Sequence, residues 1–339
     1  MSRAELEAAI RANRDDAAAY DVYADWLIAH GDPHGELIAL ERKGDPSLYP
    51  RIFELRDALV RWPDDADVGD YAFEADFATT WRWGLWDRVA ISCSSGMTDG
   101  YYDTPALAQF AFAHPACVAL RVLRFDLYDW RFASPADVPP VLAAAEGHAW
   151  ARELHTLHAG EIDTSGPPQG GAQLGRCSGA ISRIFPGLRV LALLGEEIEL
   201  AELALPRLTA LHVFTPELTD VQLAELYAAK LPALEHVELD TADLAPAAVA
   251  AIATGVFPKL RMLSVRSDAV VDELAHALAS SPVAARLEHL ELRLSDDAAR
   301  ALDAATLPRL RSLILAGIDK ETRAQLVNRF PRAHVNARD

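Results

Sequence analysis

The chain has 339 residues, 51% of them hydrophobic and 24% charged, which is the composition of a folded protein and excludes wholesale disorder. Acidic residues outnumber basic ones 50 to 32, and the net charge of −18 disfavours nucleic acid and anionic membrane surfaces as partners. Length alone gives a prior of about two compact domains or one elongated one.

The chain opens MSRAELEAAI, with acids and without the apolar core of a signal peptide, and no run approaches the ~18 apolar residues of a membrane span. The cysteines, Cys93, Cys117 and Cys177, show no CxxC or Cys/His spacing, so neither a disulfide framework nor a zinc module is expected. The expected compartment is a reducing cytoplasm. Ala4 to Ala12 reads as a short helix. Asp15 or Asp16 can cap a second, running roughly Ala17 to His30, which Gly31-Asp32-Pro33 ends; a third covers Gly35 to Arg42. Tyr20, Tyr23, Trp26 and Leu27 fall at helical spacing and are expected to form a small core. Asp25, Asp32 and Glu36 read as capping, turn and solvated-face residues rather than an acidic site. Next comes an aromatic-rich stretch with Tyr71, Phe73, Phe77, Trp81, Trp83 and Trp86, expected to seal the near end of the C-terminal three quarters of the chain.

Those three quarters are repetitive. An apolar residue, two variable, an apolar residue, one variable and an apolar residue recur as Leu188/Leu191/Leu193, Leu208/Leu211/Val213 and Leu234/Val237/Leu239. The pattern continues as Leu260/Leu263/Val265, Leu287/Leu290/Leu292 and Leu310/Leu313/Leu315, with weaker copies starting at Trp86, Leu120 and Leu154. Successive starts are 34, 34, 34, 20, 26, 26, 27 and 23 residues apart. Apolar-Pro pairs (Phe185-Pro186, Leu205-Pro206, Leu231-Pro232, Phe257-Pro258, Leu307-Pro308) precede several copies and are expected to end a helix before each strand. The stretches 220–229, 245–254, 271–279 and 296–305 read as those helices, rich in Ala and Leu with acids near several starts.

One strand and one helix per step resembles the leucine-rich repeat family across about residues 85 to 329. The string DDAAAYDVYADWLIAHGDPHGELIALE resembles the repeat-companion domain, a short module that accompanies such repeats in large-genome bacteria. The matching residues are Asp15, Asp16, Tyr23, Ala24, Asp25, Trp26, Leu27, Gly31, Asp32, Pro33, Gly35 and Glu36. Trp81 to Ser92 (WRWGLWDRVAIS) is similar to the segment that leads such proteins into their first strand. The resemblance implies an α/β leucine-rich-repeat solenoid, with parallel strands on a concave face, helices on a convex face, and a small N-terminal α-helical module. The expected organisation is a repeat-companion domain at 1–44, an aromatic-rich linker or cap at 45–84, divergent repeats at 85–329 and a cap or tail at 330–339. The family's asparagine ladder is absent: its position holds Glu196, Pro216, Ala242, Asp268, Ser295 and Ile318, so irregular turns are expected. Two positions further on, Ile198, Leu218, Leu244 and Val270 stay apolar. The family brings no activity to transfer.

Alternation along a strand turns the residues between the apolar marks outward. The middle outward column runs Ala90, Arg124, His158, Ala192, His212, Glu238, Ser264, Glu291, Ile314. Across the columns, Val190, Ala192, Leu194, Ala210 and Phe214 form an apolar patch, and His212, His236, Glu238, Asp240, Arg266 and Arg293, with His289 and Glu291, form a polar rim. That surface reads as a non-enzymatic scaffold binding a protein with a basic patch, with Phe214 as its anchor. Two alternatives stand: an accessory, immunity or defence protein masking a toxin or effector, and an enzyme using the concave His/Glu group. His212, His236, Glu238 and Asp240 are metal-capable types, but no short ligand motif joins them, so neither metal nor cofactor is assigned. No catalytic residue is assigned: HExxH, GxSxG and GxxxxGK[ST] are missing, and the glycine-rich 170–179 lacks a phosphate-loop lysine and reads as part of an insert over 160–182.

Overall fold

The computed structural model describes residues 1–60, 77–92, 104–126, 138–160, 174, 177–195, 198–245, 249–267, 271–302 and 305–338. Tyr71, Phe73, Cys93, Glu196, Asp268, Val270 and most of the insert over 160–182 lie outside these residues.

Three helices open the chain: α1 (Arg3–Ala12), α2 (Ala17–Ala29) and α3 (Pro33–Lys43). Each has a side-chain cap, from Ser2, Asp16 and Asp32 respectively. Pro33 therefore opens α3 instead of only breaking α2, because a first-turn proline lacks an N–H that would have been orphaned anyway. Leu6, Ile10, Tyr20, Tyr23, Leu27 and Ile38 form the small core. Trp26 is only partly buried and stacks on His30, 3.8 Å away. Gly35 lets α3 cross α2 closely: a Cβ there would sit 2.7 Å from the Ala24 carbonyl oxygen and the Ile28 nitrogen. A fourth helix, α4 (Tyr49–Leu59), lies where a linker is expected. Pro50 stands in its first turn, and Ile52 and Leu55, three apart, bury against Leu37.

The remainder is mixed α/β around one open, mostly parallel sheet. Its strands are β1 (Phe77–Arg82), β2 (Leu85–Ser92), β3 (Val122–Asp126), β4 (Thr156–Ala159), β5 (Val190–Leu194) and β6 (Ala210–Phe214). They continue as β8 (His236–Thr241), β10 (Met262–Ser267), β11 (His289–Arg293), β12 (Ser312–Ala316) and β13 (His334–Arg338). These eleven strands lie side by side in sequence order. Two-residue strands β7 (Glu217–Leu218) and β9 (Asp243–Leu244) pair separately. Only β1 runs antiparallel, against β2; every other pairing in the large sheet is parallel. Within the stretch expected as a C-terminal tail, residues 334–338 add the last strand to the edge.

Helices α5 (Thr104–Ala113), α6 (Val138–Ala144), α7 (Ser178–Ile184), α8 (Asp220–Ala228), α9 (Asp272–Ala279), α10 (Asp296–Ala301) and α11 (Lys320–Arg329) connect strands. The apolar repeat positions of the strands, such as Leu191, Leu211 and Val237, share one continuous core with Ile181, Leu223, Leu226 and Leu274 from these helices. Not every gap holds a helix. The 20-residue step before Leu208 is too short, and residues 198–209 hold only turns and an isolated bridge, Ala204 to Lys230. In the stretch 245–254, where residues 246–248 lie outside the described residues, Val249 is helical and leads into a 3-10 turn, Ala250–Thr254, stopped by left-handed Gly255.

The turns after β6 and β8 are served by hydroxyls one residue before the missing asparagines. Thr215 Oγ1 donates to the Glu217 carbonyl at 3.0 Å. Thr241 Oγ1 reaches the Asp243 carbonyl at 2.7 Å and that of Pro216, in the previous turn, at 3.2 Å. Ser267 Oγ reaches the Ala242 carbonyl at 3.5 Å. This short hydroxyl ladder supplies donors to the turn carbonyls after β6 and β8, where the family's asparagines are missing.

Candidate functional site

The sheet face turned from the helices carries three columns of side chains, and the strand register aligns them. His158, Ala192, His212, Glu238, Ser264, Glu291 and Ile314 are successive neighbours in the middle column. Val190, Ala210, His236, Met262 and His289 stand beside it on one side. Leu194, Phe214, Asp240 and Arg266 stand on the other, with Arg293 on the next strand, β11, facing Ala316 of β12.

Val190, Leu194, Ala210 and Phe214 are all partly exposed on neighbouring strands β5 and β6. Ala192 shares their face but is 3% exposed, because its methyl lies between the larger His158 and His212. The Phe214 and His212 rings lie nearly parallel, 9° apart with centroids separated by 6.4 Å. His212 meets His236 edge to face at 4.8 Å.

Beyond the apolar patch, charges organise around Arg266. Its Nη1 donates to Glu238 Oε1 at 2.8 Å and lies 3.5 Å from Asp240 Oδ2. Its Nε and Nη2 fork onto Glu291 at 3.2 and 3.4 Å. Glu291 also accepts from Ser264 Oγ at 3.0 Å. The other oxygen of Glu238 lies 2.6 Å from His212 Nδ1. That hydrogen bond, aided by Arg266, holds the Glu238 carboxyl below the usual carboxylate range. Burial pushes Asp240 upward despite Arg266, and burial with the neighbouring His212 pulls His236 downward. The face also bears two depressions. One, of about 390 Å³, lies among Asp240, Arg266, Glu291, Arg293 and Ile314. The other, of about 190 Å³, lies among His236, Glu238, Ser264, Arg266 and His289.

All the residues expected in the patch and rim thus share one face, and His212, His236, Glu238, Asp240 and Arg266 are in mutual contact or nearly so. Arg293 lies further along the sheet, at the exposed end of β11. The Ser264–Glu291 bond and the hub role of Glu291 depend on side-chain reach across strands, which the repeat pattern does not specify.

Elsewhere, Cys117 and Cys177 are buried thiols; burial raises both, that of Cys177 to about 12. Such thiols are poor nucleophiles. Asp32 caps α3 and pairs with Arg3 at 3.5 Å, and Glu36 pairs with Arg51 at 2.9 Å. No helix among the described residues is long and apolar enough to cross a membrane.

No family model matches the chain, and no curated protein matches it. Among solved structures, a structural-genomics target protein from Bacteroides fragilis is similar in fold. The two share 16% identity at a TM-score of 0.52, over 68% of this chain and 69% of that one. At that identity the likeness concerns the fold alone, and it is compatible with a repeat architecture built on a parallel sheet.

Proposed function

We propose that the chain is a leucine-rich-repeat solenoid with an N-terminal repeat-companion module, and that it acts in the cytoplasm as a non-enzymatic scaffold. Its partner is a protein docking on the concave sheet face. Sequence-ordered parallel strands at steps of 20 to 34 residues support the architecture. One observation carries the binding role. Partly exposed Val190, Leu194 and Phe214 sit on adjacent strands beside an ordered polar field, an arrangement like the apolar centre and polar rim of a protein interface. Phe214 is the anchor, a large ring that a partner pocket can desolvate. The net charge of −18 favours a partner with a basic patch and an association that weakens with salt.

Affinity capture from the native lysate tests this reading with three baits: wild type, a Val190→Glu/Phe214→Asp double variant, and Phe53→Asp. Phe53 is an exposed residue of α4, well away from the patch. Each bait must first show the wild-type circular dichroism spectrum and melting point. The expected result is a protein held by wild type and Phe53→Asp and lost by the double variant. Equal retention by the double variant overturns the sheet-face reading.

A further inference from the structure

Adjacent strands β6 and β8 bring two imidazoles and a carboxylate together on the outward face. His212 lies opposite Glu238 in the register, and His236 is two residues before Glu238 on the same side of β8. One donor atom from each can be chosen so that all three lie within 4.8 Å of one another. We propose that His212, His236 and Glu238 bind one zinc ion, or a closely similar divalent transition metal, with a fourth position open.

Three observations support this. The donors are two nitrogens and one oxygen, a set that zinc takes in open three-residue sites. Zinc bonds of about 2.0–2.2 Å in a tetrahedron place ligand atoms roughly 3.3 Å apart. The widest separation must therefore close by at most about an ångström and a half, and His212 Nδ1 and Glu238 Oε2, now 2.6 Å apart, must open slightly; rotation about the χ angles spans both.

The charge is right. Glu238, Asp240 and Glu291 gather around Arg266, and even with Arg293 beside them the carboxylates outnumber the guanidiniums, which leaves negative charge for a cation to neutralise.

The outer shell is in place. Arg266 holds Glu238 Oε1 and leaves Oε2 directed at His212, and Phe214 lies beside the His212 ring. Metal-ligating carboxylates are oriented by such partners.

The depression beside His236 and Glu238, about 190 Å³, leaves room for the fourth ligand, a water or a donor side chain of a docked protein. The metal site does not depend on any partner, so it stands or falls separately from the binding role.

The test uses the full chain, stripped with a chelator and titrated with zinc sulfate by calorimetry, and with cobalt followed by its visible absorption. The expected result is about one ion per chain and a cobalt spectrum of tetrahedral intensity. His212→Ala, His236→Ala and Glu238→Gln should each weaken zinc binding by at least about tenfold. His276→Ala, on the exposed side of α9, should bind as wild type does. Imidazole nitrogen resonances of the wild-type protein give a reading that needs no variant: zinc should shift those of His212 and His236 and leave His276 unmoved. No uptake by the wild type overturns the proposal. So does unchanged affinity in the three variants, or a zinc response confined to other histidines.

Discussion

The rings of His34 and His114 meet edge to face, 5.9 Å apart, where the N-terminal helices join the sheet. His114 accepts from the Ala116 N–H through Nδ1, so its Nε2 carries the proton that bonds the Leu59 carbonyl at 2.8 Å. Trp86 stacks on its face at 4.3 Å. His34 is 3% exposed, and its Nε2 has no hydrogen-bond partner. Although Asp32 Oδ1 is 4.0 Å from its Nδ1, burial and His114 prevail and pull the imidazole down to about 4. His34 is therefore neutral in the folded chain.

Acid should loosen this junction. The folded value lies below the unfolded one of about 6.5, so the unfolded chain binds protons first. Stability is complete above about 6.5 and drains as pH falls toward 4, by roughly 3 kcal/mol for His34 alone. Urea unfolding between those pH values should show the loss, and His34→Gln, which cannot charge, should remove that share of it. An identical slope in the variant rejects the assignment.

Arg14 ties the same two parts together from the other side. Its guanidinium donates to the carbonyls of Ala119, Leu120 and Glu153 at 3.0, 3.2 and 2.9 Å, across more than a hundred residues of chain. Arg14→Ala leaves those acceptors short of donors, at a cost of about 1–3 kcal/mol. Arg14→Lys should recover little, since an ammonium cannot reproduce the planar fork. Hydrogen exchange is the measurement: amides of α1 and α2 should exchange faster in both variants while those of β10 and β11 stay protected. Uniform loss across the chain, or none, counts against a local clamp.

The hydroxyl ladder makes a prediction of its own. Thr241 is 4% exposed and bonds carbonyls in two successive turns. Thr241→Val keeps the shape and removes the donor, so it should destabilise by about 1–3 kcal/mol. Thr241→Ser should recover most of that. If valine is tolerated without loss, the ladder is incidental to the turns.

These three features show how far the sequence could be read. The repeat starts at 188, 208, 234, 260, 287 and 310 locate β5, β6, β8, β10, β11 and β12, because burial fixes which residues alternate inward. The same alternation places the outward columns in register, so the neighbours of Phe214 and Glu238 were legible. The Thr215–Thr241 ladder was not, because a threonine one place before an expected asparagine looks like any strand residue. Nor was α4, whose short Ile52/Leu55 pattern lay in a stretch dominated by aromatics. The contacts of Arg14, Arg266 and Glu291 depend on the reach of long side chains across the fold, which no local pattern encodes.

Leu211 and Phe214 offer the most direct check that the outward face is surplus to folding. Both lie on β6, with Leu211 turned into the core at 0% exposure and Phe214 turned out and partly exposed. Leu211→Ala opens a cavity between sheet and helices and should cost about 2–5 kcal/mol. Phe214 is partly exposed and lies outside the core, with its ring parallel to that of His212, so Phe214→Ala should cost less, under about 1.5 kcal/mol. Denaturant midpoints at constant slope make the comparison. If Phe214→Ala costs as much as Leu211→Ala, the ring is holding the sheet together, and the binding face loses its anchor. A small cost leaves a partly exposed aromatic side chain beside an ordered charge network, which is surface suited to contact with another protein.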